Sequence, residues 1–175
     1  MSGDRMTISA ADLLAETRAA VDAVDGLFIK ARQAVRERVE EEGRISSNAV
    51  EREQHAAHGL AWLGTYVEAL RQMAAYAERM SGEGRLGDAE ALIVRAAFGE
   101  YLAQTFGGIP MSQGEFVRPA DLGVAAEDIA RARTPEVEHL ILSGNTRATR
   151  AAIIELMQAA EGAATVGDAG LDETL

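Results

Sequence analysis

Two histidines and one glutamate form the pattern closest to a metal site. His55 and His58 lie three residues apart, and Glu51 lies four residues before His55, so one continuous helix would place all three on one face. Two imidazoles and a carboxylate can bind a transition metal. Known helical metal patterns need a further ligand, and the remaining histidine, His139, is distant in sequence. We therefore predict no metal. The favoured interpretation is a pair of partly exposed histidines, and a small metalloenzyme is the alternative.

Three carboxylates border or lie within a long glycine- and proline-containing segment, residues 107–124. Paired carboxylates can act as acid and base, and Glu100, Glu115 and Asp121 are the candidates. The sequence does not fix their separation, and we expect a helix cation to hold Glu100. No Ser/His/Asp arrangement has a motif context. We predict no catalytic residue in this chain.

The pair Gly107–Gly108 could hold a phosphate with backbone amides, as glycine-rich loops do. However, the pair follows a predicted helix C-terminus, where the carbonyls are free and the dipole is negative. The spacings typical of nucleotide-binding loops are also absent. The pair therefore predicts the end of a helix. Arg118 is the cation of this segment that could reach an acidic ligand or a partner carboxylate.

A row of apolar residues spaced by seven indicates the first long helix, and Ser9 with Asp12 marks its start. Thr17 and Arg38 fall on the same seam, which favours an antiparallel helical hairpin over a coiled coil. The row consists of Leu14, Val21, Phe28 and Val35.

The second helix has a capping-box start, with Asn48 as the cap and Glu51 three residues later. Gly59 and Gly64 each cost about 1 kcal/mol of helix propensity relative to alanine, and close approach of a neighbouring helix is the expected compensation. Asp88 is predicted to cap the third helix.

The predicted fold is all-α, an antiparallel bundle of long helices at about 9–42, 48–81 and 88–106. Shorter helices follow near 125–133, after Thr134–Pro135, and from about residue 145. We expect 107–124 to be one long irregular segment, and no β pattern competes anywhere. Residues 1–162 are predicted to form a single helical domain, with 163–175 as a linker or disordered tail.

Composition excludes several classes of function. The 175-residue chain has a net charge of −11 and no cysteine, so disulfides and thiolate chemistry are impossible. An acidic chain without a basic stretch argues against binding to nucleic acid or to anionic membranes. No signal-like or membrane-spanning run is present. We expect a cytoplasmic protein.

Two segments carry a family resemblance: HAAHGLAWLGTYVEALRQM at 55–73 and FGEYLAQTFGGIPMSQGEFVRPADLGV at 98–124. They resemble the N-terminal helical extension of the (2S)-methylsuccinyl-CoA dehydrogenases, flavin-dependent members of the acyl-CoA dehydrogenase family. The resemblance covers residues 48–124 well and the rest by helical character and order.

The resemblance implies a parent enzyme that binds FAD and dehydrogenates a short-chain acyl-CoA. The catalytic core of that enzyme, in cis or in trans, would then be the partner, within an expected homo-oligomer. The chain itself is expected to hold no cofactor and to be non-catalytic, packing on the core and shaping the substrate entrance. The proposed docking residues are Gly107, Gly108, Ile109, Met111, Phe116 and Arg118.

A second similarity concerns AQTFGGIP, at 103–110, which is similar to a helix-then-Gly-Gly element near the flavin in acyl-CoA dehydrogenases. The sequence Ile109-Pro110-Met111 replaces the usual continuation of that element, so no flavin-binding residue is carried over. The alternative function is a free-standing helical adaptor that binds another protein through the same surface.

Overall fold

The first helix, α1, runs from Ala10 to Val39 in the computed structural model, which describes residues 9–160. The predicted cap is confirmed, because the Ser9 side chain accepts a hydrogen bond from the Asp12 amide at 3.1 Å. The helix is continuous through Asp25–Gly26. The predicted tail at 163–175 lies outside the described residues.

A small hairpin ends α1 earlier than predicted. Strands β1 (Glu40–Glu41) and β2 (Arg44–Ile45) pair antiparallel around Glu42–Gly43. Both loop residues have positive φ, 52° and 77°, as a two-residue hairpin turn of type I′ requires. The expectation of no β structure was therefore wrong at this point. Glycine at the second position makes the turn possible.

The second predicted helix is in fact two helices. Helix α2 spans Ser47–Arg52 and α3 spans Gln54–Gly82, with a break at Glu53. The prediction of Asn48 as the cap was wrong. Ser46 caps α2 instead, and its hydroxyl oxygen accepts a hydrogen bond from the Ala49 amide at 3.3 Å.

Helices α1 and α3 form an antiparallel pair, as predicted. Arg18 contacts Glu78, and further along α1 Asp25 contacts Arg71. Residue numbers therefore fall along α3 as they rise along α1, which shows that the two helices run in opposite directions.

Helix α4 (Asp88–Gly107) packs against this pair. Its predicted cap was one residue too late, because Gly87 occupies the capping position and its amide donates to the Glu90 carboxylate at 3.1 Å. A second hairpin follows, with strands β3 (Ile109–Ser112) and β4 (Glu115–Val117). The segment 107–124 is therefore more regular than predicted.

Three shorter helices complete the described chain: α5 (Ala126–Ala132), α6 (Pro135–Ser143) and α7 (Arg147–Ala159). The predicted start of α6 is confirmed, since the Thr134 side chain accepts from the Val137 amide and Pro135 occupies the first turn. Thr146 caps α7.

The mostly α-helical fold is confirmed. One cluster of buried apolar side chains draws on α1, α3, α4, the second hairpin and the short helices α5 and α6. Phe98 of α4 is its largest fully buried member. Among the helices of residues 9–160, none combines the length and apolar character needed to cross a bilayer.

Candidate functional site

The second hairpin is the centre of the predicted docking segment, and its inner side belongs to the protein's own core. Ile109 and Val117 face each other across the strands and are each 1% exposed. Val117 packs on Gly59 of α3, where an added β-carbon would come within 2.5 Å of Val117 Cγ2. The lack of a side chain at Gly59 therefore lets the hairpin approach α3, whereas we predicted the close approach of a neighbouring helix. Ile109, in this conformation, is a core residue and offers no exposed docking contact.

The outer side of the same hairpin remains accessible. Phe116 pairs with Pro110 across the strands, and 48% of Phe116 is exposed. Met111 is half-buried and lies at the irregularity between Pro110 and Ser112. The predicted docking surface is thus reduced to this outer face. We call Pro110, Met111 and Phe116 the hairpin face.

The hairpin joins α4 through Gly107 and Gly108. The Gly108 amide already donates to the Gln104 carbonyl at 2.7 Å, and its φ of 135° is one that glycine tolerates. The Gly107 carbonyl accepts from Arg118 Nε at 3.1 Å. These atoms close the helix end, as predicted. The Gly108 amide is therefore not free to bind a phosphate such as those of FAD.

The turn after the hairpin is fixed to α1. The Arg118 amide donates to the Asp121 carboxylate at 2.7 Å, and Arg38 Nη1 donates to the Asp121 carbonyl at 3.1 Å. Leu122 and Val124 of this turn are buried. Arg38, which the heptad pattern placed on the helical seam, is used to hold this turn. Arg118 is likewise engaged within the chain.

The three candidate carboxylates bond to different groups of the chain. Glu100 accepts from the side-chain amides of Gln104 and Asn145, so the expected helix cation is not its partner. Glu115 accepts from the Ser112 hydroxyl at 3.3 Å at the hairpin tip. Asp121 closes the turn described above. Each carboxylate thus has a different local hydrogen-bond partner.

The histidines and Glu51 belong to different helices. The break at Glu53 ends α2 before α3 begins, so the shared helix face that we predicted does not exist. His58 Nε2 instead accepts from Trp62 Nε1 at 3.0 Å. Within residues 9–160, no three His, Asp or Glu side chains are placed to hold a metal ion.

Two polar contacts between helices were not predicted. Glu16 of α1 contacts His139 Nδ1 of α6, a pairing across 123 residues that local sequence patterns do not reveal. Arg95 of α4 is 5% exposed and donates from Nη2 to the Ser143 hydroxyl at 2.7 Å. Burial lowers the pKa of the Arg95 guanidinium, opposed by the nearby Glu16.

Two surface clefts within residues 9–160 do not resemble a pocket for a CoA thioester. One cleft of about 400 Å³ has Asp12, Glu16 and Glu136 in its walls. Carboxylates repel phosphates. A second cleft of about 280 Å³ lies between α1 and α5, slightly below the usual range for small-molecule sites.

The chain is similar over most of its length to a known enzyme. Over 164 residues, or 94% of the chain, the sequence is 52% identical to "(2S)-methylsuccinyl-CoA dehydrogenase" of Cereibacter sphaeroides. The chain is similar to a methylsuccinyl-CoA dehydrogenase. The resemblance drawn from the sequence is thereby confirmed. The chain spans only 29% of that relative's length. No protein-family model matches it.

Proposed function

We propose that this chain is a helical module of an FAD-dependent acyl-CoA dehydrogenase that acts on methylsuccinyl-CoA or a closely related short-chain acyl-CoA. The observation that carries the proposal is the 52% identity over 94% of the chain, combined with coverage of only 29% of the relative. Most of such an enzyme, including its catalytic core, would then lie outside the matched segment. A cytoplasmic location and a homo-oligomeric enzyme belong to the same proposal.

The module is proposed to be non-catalytic. In the parent reaction, two hydrogens would leave adjacent carbons of the acyl group, one as a proton to a base of the catalytic core and the other as hydride to bound FAD. Two features support a non-catalytic role. The Gly108 amide is already bonded within α4, and Glu100, Glu115 and Asp121 each bond to a local partner.

The module would pack on the catalytic core and shape the entrance for the acyl-CoA. The hairpin face supports this role, because Phe116 is a large apolar side chain left 48% exposed. Arg118 bonds to the Gly107 carbonyl at the start of the hairpin, and Arg38 bonds to the Asp121 carbonyl in the turn that follows it. A rigid hairpin loses little conformational entropy when it docks.

A hybrid enzyme tests the proposal. In the Cereibacter sphaeroides enzyme, the matching segment is replaced by this chain, and reduction of FAD by methylsuccinyl-CoA is compared with the parent enzyme and with a version lacking the segment. We expect the hybrid to bind FAD and to react within about tenfold of the parent rate. We expect the deleted version to lose stability or rate. A hybrid no better than the deletion would refute the proposal.

Variants of the hybrid test the hairpin face. Phe116→Ala is expected to change the apparent affinity for methylsuccinyl-CoA or the selectivity for acyl-chain length. Ile45→Ala, at a side chain that is 57% exposed on the other hairpin, is the matched control and should change neither. Equal behaviour of the two variants would remove the hairpin face from the proposed entrance.

A further inference from the structure

The last described helix packs less deeply than the other long helices of residues 9–160. Helix α7 is 13 residues long and has no buried residue, whereas the nine-residue α6 buries Val137 and Leu140. Helices of this length gain most of their stability from burying an apolar face. Within residues 9–160, α7 therefore has only part of the packing that its length requires.

The apolar side chains of α7 differ in their exposure. Helix α7 packs against α4, and Ile153 and Leu156 are half-buried. Ile154 and Met157 are 54% and 61% exposed, and their spacing of three places them together on one side of the helix. We call Ile154 and Met157 the free edge of α7.

The first turn of α7 also carries an unusual charge. Arg147 and Arg150 are exposed, and the first turn has no acidic residue. Cations are unfavourable at a helix N-terminus because the dipole is positive there. On a chain with a net charge of −11, this placement favours an acidic partner beside the free edge.

Polar contacts hold this first turn in place. Thr149 Oγ1 donates to the Ser143 carbonyl at 3.3 Å, and Arg150 Nη1 donates to the Asn145 side chain at 3.0 Å. The Asn145 amide in turn donates to Glu100 of α4. The free edge is therefore presented from a fixed start.

We propose that the free edge of α7 is a docking surface for the remainder of the acyl-CoA dehydrogenase polypeptide. The proposal rests on the function proposed above. The surface that it fits is an apolar groove bordered by carboxylates, which would receive Ile154 and Met157 and pair with the two arginines. The chain matches only 29% of the relative's length. The proposed partner is the remaining part of that polypeptide. The site differs from the hairpin face.

Hydrogen exchange in the hybrid enzyme tests this proposal. The backbone amides of residues 147–159 are compared between the hybrid and the 175-residue chain alone. We expect exchange to be at least tenfold slower in the hybrid. The double variant Ile154→Gln/Met157→Gln should return the hybrid to the rate of the isolated chain. The matched control Ile29→Gln/Ile45→Gln removes side chains of similar exposure, 53% and 57%, and should leave α7 protected.

The possible results separate the two proposals. A hybrid that binds FAD and reacts, yet exchanges its α7 amides as fast as the isolated chain, overturns the docking surface and leaves the proposed function intact. Protection that survives the double variant also overturns it. A hybrid without FAD or activity refutes the proposed function and the inference with it. Protection of α7 in the isolated chain that grows with concentration, with dimers seen by light scattering, identifies a second copy as the occupant and overturns the proposal.

Discussion

Gly59 of α3 and Val117 of β4 are in direct contact, and the contact attaches the hairpin to the helical core. A β-carbon on Gly59 would lie 2.5 Å from Val117 Cγ2 and 3.3 Å from Leu122 Cδ2. The first distance is shorter than any van der Waals contact allows, and both neighbours are fully buried. The glycine is therefore required by packing, although it weakens α3 as a helix.

The first prediction is that Gly59→Ala destabilises the chain despite the better helix propensity of alanine. Overpacking in a well-filled core costs about 1–3 kcal/mol, against a propensity gain of about 1 kcal/mol. Urea unfolding measures the difference. Gly26→Ala is the control, because Gly26 lies within α1 with open space around its β-position, and it should stabilise. A gain in both variants would show that the hairpin does not pack on Gly59.

A second prediction concerns the crossing of α4 with the end of α6. A β-carbon on Gly99 would come within 2.7 Å of the Asn145 amide nitrogen and 2.8 Å of the Leu140 carbonyl oxygen. Backbone atoms cannot move aside as a side chain can, so Gly99→Ala should cost at least as much as Gly59→Ala, about 2–3 kcal/mol or more. Thermal unfolding followed by circular dichroism measures the loss. Gly82→Ala, at the exposed end of α3, should leave the midpoint nearly unchanged.

Local patterns predicted the helices well because their signals are local. Ser9 and Thr134 were identified as caps from adjacent residues, and both accept the expected amide bonds. The Ser46 cap was missed because Asn48 with Glu51 offered a better-known spacing, and nothing in the sequence marks the break at Glu53.

The candidate site was harder to predict than the helices. Pro110 within a short apolar run disfavours a strand, yet β3 tolerates it in a two-stranded hairpin. The accessible side of the hairpin depends on which side of each strand meets the core. Ile109 and Phe116 are both large and apolar. The packing of the hairpin against α3 buries Ile109 and leaves Phe116 exposed. The contact of Glu16 with His139 likewise requires the three-dimensional fold.

The third prediction uses Trp62, the one tryptophan of the chain. Its indole N–H donates to His58 Nε2 at 3.0 Å. His58→Ala removes this acceptor, so it should change the tryptophan emission spectrum of the folded chain. His55→Ala, the matched control on the same helix, should leave the spectrum unchanged. An unchanged spectrum in His58→Ala would disprove the pairing.

The fourth prediction concerns Glu41 at the first hairpin. A hydrogen bond from Ser46 and then one from Arg52 lower the pKa of the Glu41 carboxyl below its ordinary value. Because the folded-state pKa is the lower one, the carboxylate stabilises the fold above the unfolded-state pKa, about 4.3, and this contribution disappears as the pH falls through the folded-state pKa. Glu41→Gln should lower the urea midpoint at pH 7 and match the unsubstituted chain at low pH. Glu42→Gln removes an equal charge at the adjacent residue and should lower the urea midpoint at pH 7 by less. An equal decrease in both variants would show that net charge causes the effect.

The last prediction concerns the buried guanidinium of Arg95. Its Nε is buried and has no hydrogen-bond partner within residues 9–160, while its Nη2 donates to the Ser143 hydroxyl at 2.7 Å. Burial opposes the charged form and lowers the pKa of Arg95. A charge in this position contributes little to stability by itself, and replacing such a group by an apolar residue of similar size is often neutral or stabilising.

Arg95→Met should therefore leave the free energy of unfolding unchanged or raise it. Ser143→Ala should lower it by about 1–3 kcal/mol, because the buried cation then loses its hydrogen-bond acceptor. The double variant should recover most of that loss, since no buried cation remains to be satisfied. Urea unfolding of the four proteins forms a double-mutant cycle. Additive effects, with no recovery in the double variant, would show that Ser143 stabilises α6 independently of Arg95.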